Sequence, residues 1–237
     1  MFTIYDGPSE LDGEPIVVLV SGIKPPTSNP KTGRMAQSWI LRRDIHPMEA
    51  VKTGGDHSIC GTCKLRNTAC YVSPGMGPSS VWKAYQAGKY ARTTPAELNT
   101  ILARRQLPLR MGAYGDPAAA PYETWFLATA SVGHTGYTHQ WRSCDPRFRG
   151  LLMASVDSPE EHAEAKAMGW RTFRIRTPDE ALLHRERVCP ASTEGGHKMP
   201  CQTCQLCSGT GRNSDIAIIA HGSQGKGDAF ERLRRAA

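Results

Sequence analysis

The chain has 237 residues, 39% of them hydrophobic, and a formal net charge of +7. That length fits one large domain with a real core. No apolar run approaches the ~18 residues needed to cross a bilayer, and the start MFTIYDGPSELDGEP lacks the basic, then apolar pattern of a secretion signal.

The expectation is a cytoplasmic protein with no membrane partner. In a reducing compartment, clustered thiols hold metal or do redox chemistry more often than they form disulfides. The positive charge suits a polyanionic partner, most obviously nucleic acid.

In chain order, IVVLVSGI (16–23) reads as a buried strand, followed by the Pro-rich loop KPPTSNPKTG and a second strand, SWILR (38–42). HPMEAVKTGG reads as a short helix stopped by two glycines. The stretch from Cys60 to Cys70 has little periodicity and reads as a loop. Residues 79–92 and 94–106 read as helices, the second opening on Thr-Pro-x-Glu. A strand then ends near Ala113 in PLRMGAYGDP, PYETWFLATAS is helical, and TGYTHQW and LLMASV (151–156) are strands. DSPEEHAEAKAMG has a cap, an early Pro and a closing Gly, all helix signals. WRTFRIR and DIAIIAHG complete the strands.

Apolar strands alternating with helices predict an α/β fold with a parallel sheet. The expected form is a parallel (β/α) barrel-like domain, an incomplete TIM-type barrel included. It would span 1–237, with Cys-rich insertions at 56–75 and 189–211 and a flexible Gly-rich tail at 222–237.

Asp116, His139, Asp157, Arg176 and His221 each fall at the C-terminal end of a predicted strand. That edge is where such sheets bind ligands and do chemistry. Asp116, Asp157 and His139 are the catalytic candidates, although Asp157, directly before SPEEHAEA, suits a helix cap equally well. Arg176, Tyr137 and Gln140 are the candidates for substrate or anion contact.

Of the eight cysteines, Cys201, Cys204 and Cys207 follow a C-x2-C-x2-C spacing. Thiolates so close can turn onto one metal, with the fourth ligand from Cys189 or His221; zinc or a [4Fe-4S] cluster satisfies the pattern. Cys60-x2-Cys63-x6-Cys70 offers three thiolates and an open position. It suits an iron–sulfur cluster with an open iron, or a zinc completed by His57 or Cys144. Cys144 otherwise reads as an ordinary packed cysteine.

The order CxxC…CY, a strand ending in GDP, a GYT strand, LLMAS, then CP…CxxCxxC…IAxxAHG resembles the phage gene product 88 family, from about Cys60 onward. More distantly, three Cys followed by a His late in a parallel barrel is similar to the zinc site of tRNA-guanine transglycosylases and their DpdA relatives. The resemblance implies exchange of guanine for a 7-deazaguanine in DNA, in the cytoplasm of a bacterial host. Asp116 and Asp157 would then be the candidates for the two aspartates, one nucleophile and one acid/base, with zinc on Cys201, Cys204, Cys207 and His221. Two other functions stay open: an iron–sulfur enzyme with redox or radical chemistry at Cys60, Cys63 and Cys70, and a zinc-bearing nucleic-acid-binding protein.

Overall fold

A computed structural model describes residues 1–25, 29–211, 214–222 and 224–236. The N-terminal third is a meander. β1 (Phe2–Pro8) and β2 (Pro15–Ser21) pair antiparallel, and β2 pairs antiparallel with β3 (Ala36–Arg42). Ile16 to Val20 have no exposed surface, so β2 is buried on both faces as its unbroken apolar run demands.

Helix α1 (Pro47–Thr53) ends at Gly54, whose φ of 78° only glycine adopts without strain. Two further helices, α2 (His57–Cys60) and α3 (Gly77–Gln86), flank the first Cys loop, and β4 (Ala91–Arg92) adds to the edge beside β1. Helix α4 (Pro95–Arg104) opens on a full capping box between Thr94 and Glu97, as Thr-Pro-x-Glu predicts.

The alternating part follows: β5 (Leu109–Tyr114), α5 (Tyr122–Ala128), β6 (His134–Thr135), β7 (Tyr137–Thr138), β8 (Met153–Val156), α6 (Pro159–Ala167), β9 (Thr172–Arg176), β10 (Glu186–Val188), α7 (Cys201–Cys204), β11 (Asp215–Ile219) and α8 (Gln224–Ala236). Two sheets result, ordered β4-β1-β2-β3-β5-β6 and β10-β11-β9-β8-β7. All ladders from β3–β5 onward are parallel.

Gly136 alone separates β6 from β7, and so joins the sheets. A Cβ there would lie 2.6 Å from Leu152 Cδ2 and 3.1 Å from Met111 Cβ, so only glycine lets the strand step sideways between those packed side chains.

The expected barrel does not close. Among the described residues no ladder joins β10 to β4, because the first three strands form an antiparallel meander rather than further β/α units. The two sides meet instead through loop backbone: Cys201 N–H donates to Lys31 O at 3.0 Å and Gln202 N–H to Thr32 O at 2.9 Å.

The segment expected to be a flexible tail is largely helix α8. Its opening glycines hide an apolar pair, Phe230 and Leu233, spaced to share one face. Phe230 is 2% exposed and packs with Leu65 and Ala69 of the first Cys loop. No helix among the described residues is long and apolar enough to cross a membrane.

Candidate metal centre and active site

The loop that follows α2 winds back on itself. Cys63 N–H donates to Cys60 O at 3.2 Å, Arg66 N–H to Cys63 O at 3.2 Å and Cys70 N–H to Leu65 O at 2.8 Å. These turns make the three thiols electrostatic neighbours. Burial pushes the Cys60 thiol well above its ordinary value, and Cys63 and Cys70 push it further. Burial likewise raises Cys70, against the opposing pull of Lys226 and His139.

Gln140 holds this loop in place. Its Nε2 donates to Cys60 O at 3.1 Å, and its Oε1 accepts from the Thr62 hydroxyl at 3.2 Å. A side chain at Gly61 would put Cβ 2.4 Å from Gln140 Oε1, so glycine is required there. Gln140, expected as a substrate contact, is therefore a positioning residue.

The three catalytic candidates reach the same place. Asp116 N–H donates to Ile59 O at 2.6 Å, pinning the end of β5 to α2. Its Oδ1 accepts Ala118 N–H at 3.0 Å and its Oδ2 accepts His139 N–H at 2.8 Å. Burial pushes this carboxyl up, opposed by the hydrogen bonds it accepts. Asp116 is thus a bracket between β5 and β7, with both oxygens committed.

Asp157 behaves differently. The cap of α6 is Ser158, whose Oγ accepts Glu161 N–H at 3.1 Å, so capping does not occupy Asp157. Asp157 Oδ1 and His139 Nε2 are both buried without a hydrogen-bond partner, and they face each other at 3.9 Å. Burial opposes the imidazolium form of His139. Cys63 and Asp157 outweigh it and hold the ring well above the ordinary histidine range.

Neither residue proposed to complete a zinc here joins the group. His57 Nδ1 faces Asp12 at 3.4 Å. Cys144 packs against the main core, its thiol pushed up to about 12 by burial and by Asp116. Both line a cavity of about 500 Å³ together with Gly61, Thr62 and Gln140.

The second thiol group gathers Cys189, Cys201, Cys204 and Cys207. Cys189 N–H donates to Ala217 O at 2.9 Å, and Gly136 N–H donates to Cys207 O at 2.8 Å. Burial raises Cys207 well above its ordinary value, and each of the other three raises it further. Cys189, not His221, is the fourth member. His221 Nε2 lies 2.7 Å from Lys31 Nζ and its Nδ1 lies 3.1 Å from Ile219 O, so both ring nitrogens are engaged elsewhere.

Among the described residues, no three His, Cys, Asp or Glu side chains stand ready as a metal cage. The thiols are neighbours without ligation geometry, as expected of buried neutral thiols, which only a cation draws together as thiolates.

Arg176, expected to contact an anion, is spent inside the fold. It donates to Glu180 O at 2.8 Å and to Thr177 O at 3.2 Å, and it pairs with Glu194. Tyr137 stacks on Phe173 with ring centroids 4.4 Å apart, and burial and Tyr71 push its phenol up. Arg110, Cys207 and Cys201 also act on that phenol, which places Tyr137 beside the second thiol group.

Three neighbours carried no sequence signal: Lys31 in a Pro-rich loop, Arg110 at a strand start, and Tyr71. Only the position of Tyr71 directly after Cys70 hinted at it. Comparison with protein families, with curated proteins and with solved structures finds no match to this chain.

Proposed function

We propose that the protein is a metalloenzyme whose reactive centre is Cys60, Cys63 and Cys70 together with His139 and Asp157. The observation that carries this reading is the meeting of three thiols with a histidine–carboxylate pair whose facing atoms have no other partner, beyond the ends of adjacent parallel strands. Three thiolates leave one position open, the donor set of a [4Fe-4S] cluster with an open iron. Such a group supplies electron transfer or activates a substrate bound at its open position. His139 and Asp157 then hold and deliver a proton beside it, while Asp116 and Gln140 fix the loop that carries the thiols. Cys189, Cys201, Cys204 and Cys207 make a closed four-thiolate site, for zinc or a second cluster. The net charge of +7 makes nucleic acid the favoured substrate class, and base modification the favoured reaction.

A second reading, guanine exchange for a 7-deazaguanine in DNA, is supported by the free Oδ1 of Asp157, which suits an acid/base. It is weakened by Asp116, each of whose oxygens already accepts a backbone N–H that holds two strands together.

Purification without oxygen, a visible spectrum and assay of zinc, iron and sulfide decide between them. Iron and sulfide that Cys63→Ser removes, with the metal of the Cys189 group retained, would support the first reading. A colourless protein carrying zinc alone would sink it and turn attention to base-exchange assays.

A further inference from the structure

Between the two thiol groups, four side chains from separate segments meet. Lys31 Nζ is 2.7 Å from His221 Nε2, and Arg110 donates to Tyr71 Oη at 2.6 Å. The Tyr71 ring stacks on His221, centroids 5.7 Å apart and planes inclined by 21°. His221 Nδ1 lies 3.1 Å from a carbonyl, so that nitrogen carries the hydrogen and Nε2 accepts from the Lys31 ammonium. The ring is neutral, and burial and Lys31 lower its affinity for a proton.

Among the described residues, the hydrogen-bonding side chains that the two cations meet are uncharged: an imidazole, a phenol and the amide of Gln37. The contrast within the same molecule is plain. Arg42, Arg147, Arg174 and Arg176 each pair with a carboxylate. Arg110 opposes the charge of Lys31, so two like charges are held near each other without an acid between them. The thiols of Cys189 and Cys201 favour the charge on Lys31 from the buried side. The polar contacts themselves lie at the solvent boundary, with Tyr71 42% exposed. A counter-ion from outside therefore has access to them.

We propose that Lys31, Arg110, Tyr71 and His221 form a binding site for a phosphate group of the substrate. Two cations suit a phosphate, which carries one negative charge as the diester of a nucleic-acid strand and nearly two as a monoester, and a guanidinium with flanking O–H and N–H donors matches its oxygens. The aromatic face of Tyr71 stands beside the site to stack on an attached base. The assignment rests on the functional reading above only in that the phosphate belongs to that reaction's substrate. Its test is direct binding, which does not depend on turnover.

The experiment is calorimetric titration of the full-length, anaerobically purified protein with a purine nucleoside 5′-monophosphate, the matching nucleoside, inorganic phosphate and a short single-stranded DNA. The monophosphate should bind at least ~10-fold tighter than the nucleoside. Lys31→Gln and Tyr71→Phe should each weaken it by roughly tenfold, the size expected for a lost charge-assisted hydrogen bond, with metal content and Tm retained. Competition by the DNA would assign the phosphate to a nucleic-acid strand, and competition by inorganic phosphate alone to a free nucleotide; both support the site. Equal affinity for nucleoside and monophosphate, or no binding of either, would overturn it. So would a Lys31→Gln protein that loses metal at unchanged phosphate affinity, since the cations would then serve the thiolates.

Discussion

Both carboxylate oxygens of Asp116 accept a backbone N–H, one from Ala118 and one from His139. Asp116→Asn turns an amide nitrogen toward one of those donors and leaves a buried N–H unmet. The expected cost is about 1–3 kcal/mol, a fall in Tm of roughly 3–10 °C for a chain of this size, read by thermal unfolding. Asp157→Asn takes away the carboxylate that faces His139 at 3.9 Å and should lower that ring's affinity for a proton, read by NMR titration of the imidazole. Its effect belongs in the chemistry instead. In the sequence each aspartate lay just beyond a strand, and the one distinction, a capping role for Asp157, is not the one the fold makes. What separates them is the direction of N–H groups on other strands, and nothing local encodes that. The thiol groups were legible because ligand spacing is itself local. The contact of His221 with Lys31, far away in sequence, was not.

At the level of elements, a charged pair ties β9 to β10. Arg174 and Glu186 have no exposed side-chain surface, and Arg174 Nε lies 2.8 Å from Glu186 Oε1. Burial raises the Glu186 carboxyl, but the Arg174 hydrogen bonds outweigh it and the net shift is downward. A lowered folded-state value means the stabilisation is fully present above the unfolded value of about 4.3 and is lost as pH falls through the folded one. Urea titrations of the wild type should therefore show stability falling steeply below about pH 4.3, and Glu186→Gln should flatten that acid limb. The same change leaves Arg174 short of its main counter-charge and should lower stability at neutral pH by up to about 3–5 kcal/mol.

Thr94→Ala removes half of a capping box and should cost about 1 kcal/mol. That helix was readable because its cap signals are contiguous, and the apolar strands β2, β3, β8, β9 and β11 were readable for the same reason. β4 and β10 were not. They span two and three residues, and their neighbours make them strands. β1 was obscured by its mixed, half-buried sequence FTIYDGP.

For the molecule as a whole, the last helix covers the first thiol loop. Phe230 packs against Leu65 and Ala69 with Cys63 beside them, and Lys226 Nζ donates to Thr68 O at 2.8 Å. Phe230→Ala should cost about 3–5 kcal/mol. It should also speed the reaction of Cys63 and Cys70 with a chromogenic disulfide under native conditions, ahead of Cys189 and Cys207. Equal acceleration at all four would mean general loosening rather than removal of a cover. The alternation of strands and helices announced a parallel sheet. Whether the sheet closes was beyond the sequence, because closure depends on which edges find each other, and here short loops from Lys31 and Cys201 meet where a ladder would have been.

The arrangement of α8 over the loop also has a consequence in time. Synthesis runs at roughly 5–20 residues per second, so Cys60 waits several seconds on a growing chain before His139 and Asp157 exist. It waits longer still for the thirteen residues of α8 that seal it. A nascent chain therefore carries these thiols with neither His139 and Asp157 beside them nor α8 over them, and a chain released early is left in that condition. Burial of the loop is in this way tied to the synthesis of a helix that lies far along the chain from the cysteines it covers.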